Sequence, residues 1–157
     1  SVPKEGFDIV NEKKKIFVEM KNKHNTMNSS SSQKIYMRMQ HKINKLPKAN
    51  CFLVEVIAKN SQNIPWIISL DSEQISDNRI RRVSIDKFYE IVTNDKNAFK
   101  KLCEKLPVVI DDVLATIHED IIDNSVFEEL KSINPNILKS LYMLSFSKYE
   151  GFDSFDI

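Results

Sequence analysis

The chain has 157 residues, 41% apolar and 29% charged, with only 2 Gly and 5 Pro, a composition that fits one compact domain and excludes a collagen-like or low-complexity chain. Two cysteines without C-x-x-C spacing and three scattered histidines exclude a disulfide scaffold and a His/Cys zinc site, and suit a reducing cytoplasm. The formal charge of +1 hides a gradient: residues 1–60 carry 12 basic and 5 acidic side chains, residues 106–157 carry 3 and 10, so the N-terminal part suits a polyanionic partner.

Residues 6–10 alternate, residues 11–14 are polar and residues 15–21 alternate again, which predicts a β-hairpin. Ile16, Val18 and Met20 then share one face, and Phe17, Glu19 and Lys21 the other. Residues 22–32 read as a loop ending in a serine run that can cap a helix. The helix is expected from about 31 to 46, with an apolar stripe of Ile35, Met39, Ile43 and Leu46 beside a basic stripe of Lys34, Arg38, Lys42 and Lys45, and Pro47 stops it. Residues 51–58 read as a central strand covered on both faces, 60–65 as a turn and 66–70 as the returning strand of a second hairpin. Arg79, Arg81 and Arg82 fall in a charged connection. Ser84 is placed to cap a short helix, Asn94 or Asp95 a second with Ala98, Phe99, Leu102 and Leu106 on its buried face, and Pro107 to open a third bearing Val109, Val113, Ile117 and Ile121. Two more helical patterns, at 126–133 and 137–144, complete a helical C-terminal part. No apolar run approaches the 18 or so residues that span a bilayer, and no membrane partner is expected.

The chemistry concentrates in the first hairpin. A turn at Glu12–Lys13 puts Asp8 opposite Phe17, and a turn at Lys13–Lys14 puts it opposite Glu19. In either register two carboxylates lie on neighbouring strands with Lys21 two residues beyond Glu19. Such a pair suits a hard divalent cation such as Mg2+, which takes oxygen ligands and keeps several waters. Mn2+ is the expected substitute, and the backbone carbonyl of Met20 can add a ligand. Lys21 is then placed to orient or deprotonate an attacking water.

Phe7-Asp8 and Glu19-Met20-Lys21, separated by a hairpin turn, resemble the D…E-x-K signature of the PD-(D/E)XK nuclease superfamily. Together with the flanking residues from Gly6 to Ser30, they are similar to the catalytic segment of type II restriction endonucleases, most nearly the GGNCC-cutting group. Residues 84–102 are similar to a segment after the core sheet of such enzymes, and the resemblance covers about residues 6–107. It implies an α/β, restriction-endonuclease-like mixed sheet flanked by helices, Mg2+-dependent hydrolysis of double-stranded DNA in a prokaryotic cytoplasm, and a homodimer matching a palindromic site. It also implies Asp8, Glu19 and Lys21 as catalytic residues. The family usually has Pro where this chain has Phe7. It generally places a helix, often with another metal-associated Glu, before the hairpin; only seven residues precede Asp8 here. The expectation is therefore a single nuclease-like domain over 1–157, either reduced or lacking a helix that preceded Ser1.

Beside such a site, Lys34, Arg38, Lys42 and Lys45 become a surface that tracks phosphates. Asn22, Lys23, His24, Asn25 and Asn28 can reach base edges, and Arg79, Arg81 and Arg82 are the first candidates for reading guanine. Glu55, inside an apolar strand, reads as a paired or rim residue, and Trp66 as core. The rival readings are a noncatalytic DNA-binding module on the same fold, which binds without cutting, and an unrelated helical interaction domain, which does not bind DNA at all.

Overall fold

The computed structural model describes residues 6–116 and 137–152. The patterns at Ile117, Ile121 and 126–133, with His118, lie outside the described residues.

A five-stranded mixed sheet runs in the order β1 (Ile9–Asn11), β2 (Ile16–Lys23), β3 (Asn50–Ile57), β7 (Ile80–Ser84), β4 (Asn63–Pro65). β1 (Ile9–Asn11) and β2 (Ile16–Lys23) form the expected hairpin, and their ladder pairs Ile9 with Val18. Extending that register places Asp8 opposite Glu19, the second alternative. The turn selects it: the Asn11 side chain accepts the Lys14 amide at 2.9 Å, and Lys15 takes a left-handed φ of 55°.

β3 (Asn50–Ile57) lies at the centre, parallel to β2 on one side and to β7 (Ile80–Ser84) on the other. It is buried on both faces, as its nearly continuous apolar run requires. On one face Phe17, Cys51, Leu53 and Ile80 pack beneath Ile35, Tyr36, Met39 and Ile43 of α1 (Ser29–Lys45). On the other, Ile16, Val18, Phe52, Val54 and Val83 meet Phe88 of α2 (Ile85–Thr93), Phe99 and Cys103 of α3 (Ala98–Thr116) and Phe146 of α4 (Ile137–Phe146). Each such fully buried side chain contributes about 1.5–3 kcal/mol. The predicted two faces of β2 are therefore the two faces of the sheet.

Several boundaries differ from expectation. No second hairpin joins residues 51–58 to 66–70. β4 (Asn63–Pro65) instead pairs antiparallel with β7 at the sheet edge, where a proline is tolerated, and β5 (Ile68–Leu70) pairs with β6 (Glu73–Ile75) as a separate two-stranded unit. The arginine-bearing connection is in fact β7: Ile80 and Val83 are buried on opposite faces, and the intervening charges find partners. Trp66 is core, 4% exposed, with its ring 5.5 Å from Tyr36. Pro107 lies inside α3 and does not open a new helix; Leu102, Val109 and Val113 are exposed while Phe99 and Cys103 carry the packing.

α1 begins at Ser29 and is capped by Asn28, whose Oδ1 accepts the Ser31 amide at 2.8 Å, so the serine run lies within its first turn. Leu46 is its C-terminal cap residue and leaves the apolar stripe. Asn28→Ala should cost about 1 kcal/mol of stability by removing that bond, read as a lower urea midpoint with unchanged slope; an unchanged midpoint would show that the cap contributes nothing.

Past α4 the chain turns back and buries Tyr149 and Phe152 against Phe99 and Phe146. The Tyr149 hydroxyl accepts the Ala58 amide at 2.8 Å and donates to the Val56 carbonyl at 2.7 Å, tying this segment to the end of β3. Among the described residues no helix is long and apolar enough to cross a membrane.

Candidate active site

Asp8 sits where the β1–β2 ladder ends. Its amide donates to the Val18 carbonyl at 2.9 Å, and its exposed carboxylate accepts the Met20 amide at 2.7 Å. Asp8 thus bonds to the residues on either side of Glu19. Alternation along β2 points the amide and carbonyl of Val18 and Met20 to one side of the strand, toward Asp8. The Met20 carbonyl is therefore directed to the same side as the Asp8 carboxylate.

Glu19 is 8% exposed, on the α1 face of the sheet. Its two oxygens are shared between two cations: Lys21 Nζ donates to Oε1 at 2.8 Å and Arg38 Nη2 to Oε2 at 2.5 Å. Burying a carboxylate this far without such partners would be costly. Arg38 comes from the middle of α1 and lies over the Phe7 ring, 5.1 Å from its centroid. Gly6 makes room for it: φ is +74°, and a Cβ there would lie 3.1 Å from Arg38 Nη1. Arg38 Nε is buried without a hydrogen-bond partner. Lys42, one turn on, covers the Phe17 ring at 4.6 Å.

Lys21 lies opposite Glu55 in the β2–β3 ladder. Glu55 is fully buried and paired, as its setting suggested: Arg82 Nε donates at 2.9 Å and Arg82 Nη2 also bonds it, while Gln62 Nε2 reaches the other oxygen at 3.3 Å. Arg82 Nη2 also donates to the His24 carbonyl at 2.6 Å, joining β7 to the chain leaving β2. Alternate carboxylates and cations therefore occupy neighbouring positions on one sheet face.

The expected DNA-contacting residues do not form one surface. Asn22 and Lys23 belong to β2, because the strand runs two residues further than the loop reading allowed. Asn25 is exposed, and Asn28 is occupied as the helix cap. Lys34 and Lys45 are exposed, but Arg38 and Lys42 fold onto the hairpin, so the basic stripe is divided between solvent and site. Arg81 and Arg82 point to opposite faces of β7. Arg81 bonds the Asn63 side chain at 2.6 Å; Arg79, before the strand, pairs with Asp77 at 2.7 Å and holds its carboxyl below the usual range. The Arg38–Glu19 pair is not legible in the sequence, because nothing in the spacing of the two residues encodes a helix crossing this strand. Both cysteines are buried, with thiols pushed up to about 12 by desolvation, and neither is an available nucleophile.

Residues 1–115 match the family described as Eco47II restriction endonuclease. The chain belongs to this family. It is also similar to the type II restriction enzyme Sau96I of Staphylococcus aureus, 32% identical over 118 residues. That alignment takes in 70% of this chain and 45% of the relative, so the chain spans less than half of that protein's length. No solved structure matches. The family match encloses the hairpin, α1, the whole sheet and most of α3, so the carboxylate pair and both cations on Glu19 lie within it.

Among the described residues no group of three or more His, Cys, Asp and Glu side chains converges on one point. Two carboxylates and one carbonyl remain a fitting donor set for Mg2+. All three are hard oxygen donors, and this ion ordinarily takes one or two protein carboxylates and fills its octahedron with water and phosphate oxygens. The same set is too small and too poor in nitrogen or sulfur for a structural zinc site.

Proposed function

We propose that the chain carries the catalytic core of a type II restriction endonuclease, hydrolysing phosphodiester bonds of double-stranded DNA at a short specific site within the prokaryotic cytoplasm. The observation that carries this reading is the Asp8–Glu19–Lys21 arrangement at the end of a hairpin, in a chain of the Eco47II family. Asp8, Glu19 and the Met20 carbonyl are the groups proposed to hold Mg2+ or Mn2+. When bound, such a cation supplies positive charge to the phosphoryl and leaving oxygens as negative charge grows there.

The protein's own residues account for the rest. Lys21 Nζ, held 2.8 Å from Glu19, would orient the attacking water as an ammonium donor, or take the water's proton after releasing one of its own. Arg38 fixes the second Glu19 oxygen. A homodimer would match the twofold symmetry of a palindromic site, for which the resemblance to the GGNCC-cutting group gives the expected class.

The direct test is incubation of the full chain with plasmid DNA and Mg2+, followed by mapping of the ends. Discrete fragments that vanish with a chelator and return with Mg2+ or Mn2+ are expected. Tight duplex binding with no cleavage in either metal would replace this reading with that of a noncatalytic DNA-binding module.

A further inference from the structure

Beyond the carboxylate pair, a cleft of about 540 Å3 opens at the carboxyl ends of β2 and β3, between the chain leaving those strands and the end of α4 with the segment that follows it. Its polar lining consists of His24, Lys59, Asn60, Ser145, Ser147 and Lys148, with no carboxylate among the lining residues. This is unexpected, because the C-terminal third of the sequence carries 10 acidic side chains against 3 basic ones. One of those three, Lys148, is placed in the cleft. Lys59 and Lys148 are both exposed and neither makes an ion pair among the described residues, whereas Lys21, Lys87 and Lys101 do.

The walls are fixed in place. Tyr149, next to Lys148, bonds through its hydroxyl to the amide of Ala58, next to Lys59, and to the Val56 carbonyl. Burial pushes that hydroxyl up to about 12, so it stays protonated and keeps donating. On the third side the His24 amide bonds the Ile57 carbonyl at 3.1 Å, and its Nδ1 lies 3.3 Å from the same oxygen. Two lysines are thus presented to one cleft by chain segments already locked to each other, which lowers the entropy lost on binding. Open α/β sheets bind their ligands at this end of the parallel strands.

We infer that this cleft takes a backbone phosphodiester of the DNA, at a position along the strand from the scissile bond. His24 lies three residues beyond Lys21 on the same chain, about 10 Å at strand rise, comparable with the axial rise of about three base pairs of duplex. Two cations, hydroxyls and an amide suit a phosphate oxygen and carry no base preference. The inference rests on the nuclease reading and extends it from the reacting phosphate to a second anchoring one.

The test measures duplex binding by the full chain in a chelator, where no cleavage occurs, as a function of salt. Lys59→Gln/Lys148→Gln should make the slope of log affinity against log salt shallower by about 0.9, the value for one phosphate. The affinity lost between 50 and 200 mM salt should accordingly shrink about 3.5-fold, equally for cognate and unrelated duplexes. Lys96→Gln, an exposed lysine before α3, should leave the slope unchanged. In parallel, Lys59 and Lys148 should be protected from acylation by duplex DNA, and not by inorganic phosphate at the same phosphate concentration. Slopes equal to that of Lys96→Gln, or protection by inorganic phosphate alone, overturn the inference while the nuclease reading stands. No duplex binding by the native chain at low salt overturns both.

Discussion

Lys21→Ala is expected to lower duplex cleavage by about 10³-fold, within the range for loss of a positioned acid–base group, with the fold intact. Lys21 is a surface-accessible partner of Glu19, its side chain 27% exposed, and Arg38 remains on the other carboxylate oxygen when the lysine is gone. Glu19→Gln should be at least as damaging to cleavage. It removes a proposed cation ligand and strands two cations, so a lower unfolding midpoint is expected as well. Comparing the two variants separates chemistry from stability: Lys21→Ala should lose cleavage with little change in midpoint. Lys21→Ala and Glu19→Gln chains that cut plasmid at the native rate would end the catalytic assignment.

The second large effect is on stability. Glu55 has no solvent exposure and depends on Arg82, whose guanidinium binds it through two nitrogens. Arg82→Met should destabilise the chain by about 3–5 kcal/mol, the cost of leaving a buried charge without its partner. Replacing both, as Glu55→Leu/Arg82→Met, should recover most of that loss, because the penalty comes from the orphaned charge and not from the absence of a favourable pair. Urea unfolding of the two variants decides it: a double variant as unstable as the single one would mean that Arg82 acts chiefly through its bond to the His24 carbonyl. Glu55 lies on the site face of the sheet, beside Lys21 in the ladder.

The two stripes of α1 illustrate what a helical period can and cannot say. Ile35, Met39 and Ile43 are buried as the spacing predicted, and Tyr36 joins them, its ring packed against Trp66 in the chain between β4 and β5. The basic residues one position earlier divide between solvent and site, because the hairpin rises along one flank of the helix and offers Glu19 and two aromatic rings to the cations nearest it. Periodicity identifies the face of a helix, but it carries no record of what stands beside that face.

The same distinction accounts for the second hairpin. Residues 51–58 and 66–70 are both strand formers close in sequence, so a local reading joins them. A strand buried on both faces, however, needs a hydrogen-bonding partner on each edge, and β3 finds parallel partners in β2 and β7. That leaves β5 to pair with β6 outside the main sheet.

What the sequence determined by itself was therefore what is encoded within a few residues: the alternation of the first hairpin, the Asp8…Glu19-Met20-Lys21 spacing, the doubly buried strand at residues 51–58 and the apolar faces of the helices. Those signals were enough for the fold class and for the family. The tertiary structure decided the Arg38–Glu19 and Arg82–Glu55 pairs, the division of the basic stripe and the cleft between Lys59 and Lys148. Each of these joins residues from distant parts of the chain, up to 89 positions apart for the two lysines. Charge pairing of that kind depends on distance in space, which falls to a few ångströms only once the hydrophobic faces have packed.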